Sequence, residues 1–317
     1  MRVALPECEA DKTLLAARQA LDKGIAFPVL VNDPAVIAET ARRCGVSTEG
    51  MEIVNTADGA AKRALAEAYM TYPRRRYDLN ETLCQMSDPV AYAMVLTAAG
   101  RAETVFCGHV STTKKVLITA RHLIGMMDGV DAASIVALAE IPGYNGPEGE
   151  VLALADCALN VDPGPEALSG IAIAACETAG GLMGWQSRCA FLSFSTCGSG
   201  AGASVEKIHR ALEIARQRRP DLLIDGEFQL DAALIPAVAA KKVGGDSPVA
   251  GRANVLIFPN LDAANMGVKM IQIFAGGSVY GHTLSGIALP VADSSRGASV
   301  EEIVGDIAML VIAAGER

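Results

Sequence analysis

The feature that most constrains the fold is an alternation of short apolar segments with helical patterns. Residues 2–5, 26–31 and 51–54 are short and apolar, and helical segments such as residues 11–23 lie between them. This β-α-β-α order predicts parallel strands joined by right-handed helical crossovers. The chain is 51% hydrophobic but only 4% aromatic, a mix that suits helices packed on parallel strands. We therefore predict an α/β fold with mostly parallel sheets.

The pattern changes around residues 126–131, which suggests a boundary between two lobes. A chain of 317 residues is long enough for two lobes. Beyond the boundary, residues 132–140 and 151–157 are expected to form paired strands, and further strand and helix patterns follow. The C-terminal helix is expected to return to the first lobe. We predict one α/β lobe of residues 1–128 plus 289–317, a second of residues 129–288, and a ligand cleft between them.

Charge and cysteine spacing exclude several classes of protein. The formal net charge is −9, so we expect no nucleic-acid partner. None of the eight cysteines forms a C-x-x-C pair and the four histidines are scattered, so neither a disulfide framework nor a metal site is predicted. The chain shows no signal-peptide pattern and no apolar run long enough to span a bilayer. We expect a cytoplasmic protein that binds neither membrane nor metal.

Polar turns between a strand and a helix are candidate anion sites. Arg296 stands among small hydroxyl residues, just before a helix that is predicted to start near Ser299. Residues 111–113 precede a helix, and residues 196–200 follow a strand predicted over 189–195. Hydroxyls, backbone N–H groups at a helix N-terminus and a guanidinium group together bind anions. A plain helix cap would give a similar local sequence, so both interpretations stay open here.

The loop after residue 195 allows other chemistry. A loose dinucleotide-binding fingerprint is formed by Gly198, Gly200 and Ala203, with Asp221 and Asp225 about 20 residues further on. Cys197 is a candidate nucleophile, although the sequence offers no adjacent histidine or lysine to activate it. Asp225, Glu227 and Asp231 resemble a magnesium site, but acids in a solvated loop are the commoner arrangement.

Several long segments resemble the phosphate acetyl/butyryltransferase family, in the family's own order. They are residues 155–163, 193–199, 225–233, 247–259 and 293–304. The resemblance implies reversible transfer of a short acyl group, acetyl above all, between coenzyme A and phosphate. The ligands would be coenzyme A or acyl-coenzyme A, and phosphate or acyl phosphate. It also implies two lobes like those of isocitrate and isopropylmalate dehydrogenases, a homodimer, and no cofactor beyond coenzyme A as substrate.

The resemblance also assigns roles to residues. Ser295 and Arg296 match the family's serine and arginine, which stabilise the transition state and hold the acyl phosphate. Glu302 stands where the family has an aspartate that takes the thiol proton, and with Ser299 it also forms a capping-box pattern. The predicted substrate-binding residues are Ser111, Thr112, Thr113, Ser195, Thr196, Gly198, Ser199 and Tyr280.

The chain departs from the family pattern at several positions. Cys197 replaces a lysine, Ala298 replaces a cysteine, and Ile118 stands where the family has an arginine, with Arg121 close by. A second family arginine falls near Tyr72, beside residues 74–76. The departures at Ile118 and Cys197 leave open a ligand-binding relative without turnover. The pattern from Gly198 to Ala203 leaves open an NAD-dependent dehydrogenase of similar architecture.

Overall fold

The structure, a computed structural model, describes residues 1–128, 130, 132–294 and 296–315. The chain forms two compact units, one of Met1–Met126 with His282–Arg317 and one of Met127–Gly281. The predicted first boundary, after residue 128, lies close to the observed one. The predicted return at residue 289 lies later than the observed return at His282, because one strand, Ser278–Ser285, runs across this division. The cleft predicted between the lobes stays a prediction.

Strands and helices alternate along most of the chain. The strands are β1 Arg2–Leu5, β2 Phe27–Asn32, β3 Glu52–Asn55, β4 Thr104–Cys107, β5 Ser134–Glu140, β6 Val151–Ala155, β7 Arg188–Leu192, β8 Leu223–Phe228, β9 Val255–Ile257, β10 Ser278–Ser285 and β11 Val291–Asp293. The helices are α1 Asp11–Asp22, α2 Pro34–Cys44, α3 Gly59–Tyr69, α4 Leu79–Gln85, α5 Pro89–Ala98, α6 Thr113–Leu123, α7 Pro165–Met183, α8 Ala203–Arg218, α9 Leu230–Leu234, α10 Pro236–Lys242, α11 Leu261–Phe274 and α12 Val300–Gly315. The predicted α/β class is confirmed.

The sheet of the first unit has the strand order β3-β2-β1-β4-β11, and these strands are parallel. Ala4 on β1 pairs with Val29 on one side and Val105 on the other. The order therefore reverses between β1 and β4, which is where open α/β sheets commonly bind ligands, beyond the carboxyl ends of the strands. The loops after β1, β4 and β11 all leave from this edge.

The second unit contains strands in the order β5-β6-β9-β7-β8. Strands β5 and β6 are paired, as predicted from residues 132–140 and 151–157, and the structure shows that this pair is antiparallel. Strands β6, β9, β7 and β8 are parallel. The strand predicted over 189–195 ends earlier, at Leu192, because the Ser193 hydroxyl accepts the Ser195 N–H in a side-chain turn. The loops after β7 and β8 leave from one edge of the sheet.

Helix α12 is fixed to the first unit by its apolar face. Ile303 and Ile307 are each 1% exposed and pack with Leu14 of α1 and Phe106 of β4. Full burial of one such side chain stabilises the fold by about 1.5–3 kcal/mol. The start of α12, and the polar turn before it, are therefore held against the sheet. Among the described residues, no helix combines the length and apolarity that a membrane span requires.

Candidate active site

The turn after β11 lies directly against the loop after β4. Gly108 follows β4 with φ +95°, a conformation that favours glycine. A Cβ atom on Gly108 would lie 2.2 Å from Asp293 Oδ1 and 2.7 Å from the Ser294 nitrogen. The Ser294 N–H donates to the Cys107 carbonyl at 2.7 Å, which extends the contact between the two strands. The fold therefore brings together two of the polar turns that the sequence predicts as anion sites.

Arg296 projects from a turn that is anchored on both sides. Its side chain is exposed, whereas Ser294 before it and Ala298 after it are buried. The Lys12 ammonium group donates to the Ala298 carbonyl at 2.7 Å, which ties this turn to the first turn of α1. A guanidinium group that is fixed at its base and open at its tip can grip two oxygens of a phosphate group.

Two serines, Ser294 and Ser295, precede Arg296 in this turn. Ser295 lies outside the described residues, so its predicted role stays a prediction. Ser294 is 4% exposed, and its hydroxyl has no hydrogen-bond partner among the described residues. A buried hydroxyl without a partner costs free energy, and it can donate to a ligand that binds this turn. The sequence analysis missed Ser294, although it stands directly beside the predicted serine.

Glu302 forms the predicted capping box at the start of α12. Its Oε2 accepts the Ser299 N–H at 2.7 Å, and its own N–H donates to Ser299 Oγ at 3.1 Å. The predicted helix start near Ser299 is thus confirmed. The Glu302 side chain is exposed, so a substrate can reach the carboxylate. The predicted role of Glu302 as proton acceptor stays a prediction.

The turn at residues 111–113 is already occupied by a carboxylate of the chain itself. Glu7, which follows β1 and is 3% exposed, accepts the Val110 N–H at 3.0 Å and the Ser111 N–H at 2.7 Å. The Thr112 hydroxyl accepts the Lys115 N–H at 3.3 Å and caps α6. The helix-cap interpretation is therefore right for Thr112. The backbone donors proposed for an external anion are instead bound to Glu7, at the point where the strand order reverses.

In the glycine loop of the second unit, residues 195–200, the backbone N–H groups already have hydrogen-bond acceptors within the protein. Every backbone N–H from residue 195 to residue 200 has a partner inside the unit. The acceptors are Ser193 Oγ for Ser195, Ser199 Oγ for Thr196, the Glu227 carbonyl for Cys197, Glu227 Oε1 for Gly198, the Thr196 carbonyl for Ser199 and Ser195 Oγ for Gly200. A phosphate could bind these N–H groups only by displacing existing partners. The substrate-binding roles predicted for this loop stay predictions.

Glu227 on β8 holds this loop together. Its side chain accepts the Ser195 hydroxyl at 2.6 Å and the Gly198 N–H at 2.8 Å, and it contacts His209 Nε2 at 2.5 Å. Burial alone would raise the pKa of Glu227, but these hydrogen bonds outweigh burial and lower the pKa from 4.5 to about 2. The charged carboxylate stabilises the folded unit at neutral pH, and this contribution is lost as the pH falls from about 4.5 toward 2.

The predicted residues of this loop therefore divide into two groups. Ser195 and Thr196 are buried, and their hydroxyls serve the loop and the Gln229 N–H. Cys197, Gly198 and Ser199 are exposed. Burial, followed by the nearby Glu227 and Asp225 charges, raises the pKa of the Cys197 thiol. This makes the thiolate scarcer and does not favour Cys197 as a nucleophile.

The three carboxylates considered for magnesium have separate partners. Asp225 binds Arg216 and the Ser247 hydroxyl, each at 2.5 Å, and Asp231 pairs with Lys242 at 2.7 Å. Within the described part of the chain, no three acidic, histidine or cysteine side chains are grouped as metal ligands. Asp225 and Glu227 lie on β8 and Asp231 lies in the first turn of α9, so the solvated-loop interpretation is also wrong. Glu227 instead accepts hydrogen bonds from the glycine loop.

Sequence comparison decides the family. A family model for phosphate acetyl/butaryl transferase matches residues 1–311. The chain belongs to this family. A phosphate acetyltransferase of Clostridium acetobutylicum is 36% identical over 314 residues, which cover 99% of this chain and 94% of that protein.

Solved structures agree with the family assignment. A phosphotransacetylase from Streptococcus pyogenes superposes with a TM-score of 0.88 at 30% identity, and the match covers 100% of this chain and 94% of that one. A 4-hydroxythreonine-4-phosphate dehydrogenase from Klebsiella pneumoniae has a TM-score of 0.59 at 9% identity, with 99% of each chain covered. This second likeness shows the fold alone. The resemblance to the phosphate acetyl/butyryltransferase family is thus confirmed, and it replaces the dehydrogenase alternative.

Of the positions that depart from the transferase family, Ile118 and Cys197 are exposed, whereas Ala298 is buried. Ile118, in place of the family arginine, is 43% exposed on α6, and Arg121 is exposed in the last turn of the same helix. Arg74 donates to the Met126 carbonyl at 2.8 Å within the first unit. Tyr280 lies half-buried on β10 in the second unit. The binding role of Tyr280 stays a prediction.

Proposed function

We propose that this protein catalyses reversible transfer of a short acyl group, preferably acetyl, between coenzyme A and phosphate. The observation that carries the proposal is the exposed Arg296 on a turn anchored by Lys12 and by the buried residue Ala298. A phosphate group that leaves an acyl carbon develops negative charge, and a bidentate guanidinium group stabilises it. Membership of the transferase family supports this chemistry.

The proposed reaction proceeds by direct transfer. Glu302 takes the proton of the coenzyme A thiol, whose ordinary pKa lies above neutral pH. The thiolate attacks the acyl carbon, so a carbon–sulfur bond forms while the bond to the phosphate oxygen breaks. Ser295 donates to the carbonyl oxygen as it becomes an oxyanion, and Arg296 holds the departing phosphate. The reaction uses no covalent enzyme intermediate and no cofactor or metal.

The experiment that tests this function follows the absorbance of the thioester formed from coenzyme A and a series of acyl phosphates. We expect acetyl phosphate to give the highest kcat/KM. Binding of coenzyme A or phosphate without thioester formation would instead identify a ligand-binding relative that lacks turnover. This second outcome is tested because Ile118 and Cys197 stand where the family has an arginine and a lysine.

Glu302→Gln separates the capping role of Glu302 from its proposed catalytic role. The amide oxygen of glutamine can still accept the Ser299 N–H, so the melting temperature should stay nearly unchanged. Glutamine cannot take a proton, so we expect kcat to fall by about 10²–10⁴. Glu301→Gln is the matched control, because Glu301 is exposed in the same helical turn. Glu302→Asp should stay active. Full activity of Glu302→Gln would leave Glu302 as a cap only.

We also propose that the protein is a homodimer that pairs through α11. Met266, Met270, Ile273 and Phe274 form an exposed apolar stripe on this helix, and Ile273 and Phe274 are 71% and 80% exposed. An antiparallel pair of α11 helices with a two-fold axis at Met270 would place Met266 opposite the partner's Phe274. It would also place Ile273 opposite the partner's Gly267. A self-complementary apolar stripe of this kind is typical of an isologous interface.

Sedimentation velocity tests the proposed dimer. Ile273→Glu should shift the protein to the monomer, because it would bury a charge in the interface. Gln272→Glu adds the same charge at the neighbouring exposed position on α11, and this variant should remain a dimer. A monomeric wild-type protein, or a dimer that Ile273→Glu leaves intact, would contradict the proposed interface.

We place the reaction in the cytoplasm. All eight cysteines are free thiols in the structure, a pattern that suits a reducing compartment.

A further inference from the structure

We infer that the Glu227 carboxylate occupies the anion-binding position of loop 195–200, here called the seat. We further infer that the loop therefore binds the uncharged arm of coenzyme A. The inference rests on the proposed function for the identity of the ligand. Glu227 is a positioning residue, because it does not contact the ligand itself but holds the loop through Ser195 and Gly198.

The donors that meet at Glu227 are those that a phosphate would need. A hydroxyl from Ser195, a backbone N–H from Gly198 and the ring nitrogen of His209 converge on one carboxylate that is 1% exposed. The carboxylate is attached to β8 and cannot diffuse away. A phosphate at the same place would have to displace Glu227 and would be repelled by its charge. The seat is therefore closed to phosphate.

The surface that the loop leaves open is uncharged. Residues 193–200 contain no acidic or basic side chain. Cys197, Gly198 and Ser199 are exposed, and the ring of exposed Phe194 covers Gly200, where an added Cβ would lie 2.6 Å from the ring atom Cε2. Apolar and hydroxyl groups of this kind suit a ligand of methylene and amide groups. The thiol-bearing arm of coenzyme A has this composition, whereas phosphate does not.

The shape of this surface depends on Glu227. Cys197 has φ +48°, a conformation that is uncommon for a residue with a side chain. Its N–H donates to the Glu227 carbonyl, and the next N–H, that of Gly198, donates to the Glu227 carboxylate. Loss of the carboxylate removes the acceptor that holds Gly198 in place. The exposed tip of the loop should then lose the order that a bound ligand requires.

The kinetic experiment compares Glu227→Ala and Glu227→Gln with the control Glu213→Ala, which removes an exposed glutamate of α8 that pairs with Arg210. In both Glu227 variants we expect the KM for coenzyme A to rise about tenfold or more, and the KM for acetyl phosphate to change by less than about threefold. Sodium formate should lower the raised KM in Glu227→Ala, because formate returns a carboxylate to the vacated seat. Formate should leave Glu227→Gln and Glu213→Ala unchanged.

A melting experiment tests the seat itself, whether or not the enzyme turns over acetyl phosphate. Formate at constant ionic strength should raise the melting temperature of Glu227→Ala more than chloride does, and it should have no such effect on Glu213→Ala. If Glu227→Ala does not fold, Glu227→Gln replaces it as the test variant, because glutamine keeps the side-chain volume. In that variant the inference requires a larger rise in the KM for coenzyme A than in the KM for acetyl phosphate. Equal rises of both KM values would overturn the inference, as would a folded Glu227→Ala variant that shows no response to formate.

Discussion

Arg296→Lys is expected to lower kcat/KM by about two to four orders of magnitude, equivalent to about 3–5 kcal/mol. Lysine keeps the positive charge but presents it as a point, and it cannot hold two phosphate oxygens in a fixed plane. The Arg296 side chain is exposed, so the substitution should leave the melting temperature nearly unchanged. Steady-state kinetics with acetyl phosphate and coenzyme A provides the measurement.

The control for this prediction is Arg42→Lys, at an exposed arginine of α2 that pairs with Glu39. Surface ion pairs of this kind contribute little to stability, and we expect kcat/KM to stay within about twofold of the wild-type value. If Arg296→Lys behaves like this control, the phosphate is held elsewhere and the proposed role of Arg296 is wrong.

Gly108→Ala should reduce both stability and activity. The Cβ atom would meet Asp293 Oδ1 at 2.2 Å and the Ser294 nitrogen at 2.7 Å, so the turn before Arg296 would have to move. We expect a loss of about 3 kcal/mol or more in the free energy of unfolding. A displacement of about 1 Å at the reacting groups can cost about 10² in rate. Urea unfolding and kcat/KM of the folded variant measure the two effects.

Gly100→Ala separates the steric effect from the backbone effect. Gly100 also has a positive φ, +73°, but an added Cβ would meet no atom within 4 Å. Alanine in this conformation costs about 1–2 kcal/mol through the backbone alone, and activity should be retained. Equal losses in the two variants would mean that the close approach of Gly108 to the turn after β11 is unimportant.

The elements that the sequence predicted correctly depend on local patterns. The parallel α/β units follow from apolar segments that alternate with amphipathic helices, and the capping box follows from the spacing of Ser299 and Glu302. The pairing of β5 with β6 was predictable because a short segment rich in glycine and proline joins them. Each of these features is determined by residues that are close together in the chain.

The occupation of the two polar loops by glutamates was not predicted, because it depends on which strands become neighbours. Glu7 reaches Val110 and Ser111, more than 100 residues away, and Glu227 reaches Ser195 across an adjacent strand. A turn rich in serine, threonine and glycine has the same local sequence whether its donors bind a ligand or a carboxylate of the chain. The available signal was an acidic residue at the end of a buried strand in the same sheet.

The most direct test of the proposed transfer is exchange of isotopically labelled phosphate into acetyl phosphate, with and without coenzyme A. Direct transfer predicts that label enters acetyl phosphate only when coenzyme A is present, because the acyl group must first pass to the thiol and then return. Exchange without coenzyme A would reveal an acyl-enzyme, with exposed Cys197 as the first residue to examine by mass spectrometry. Absence of exchange even with coenzyme A would contradict the proposed activity.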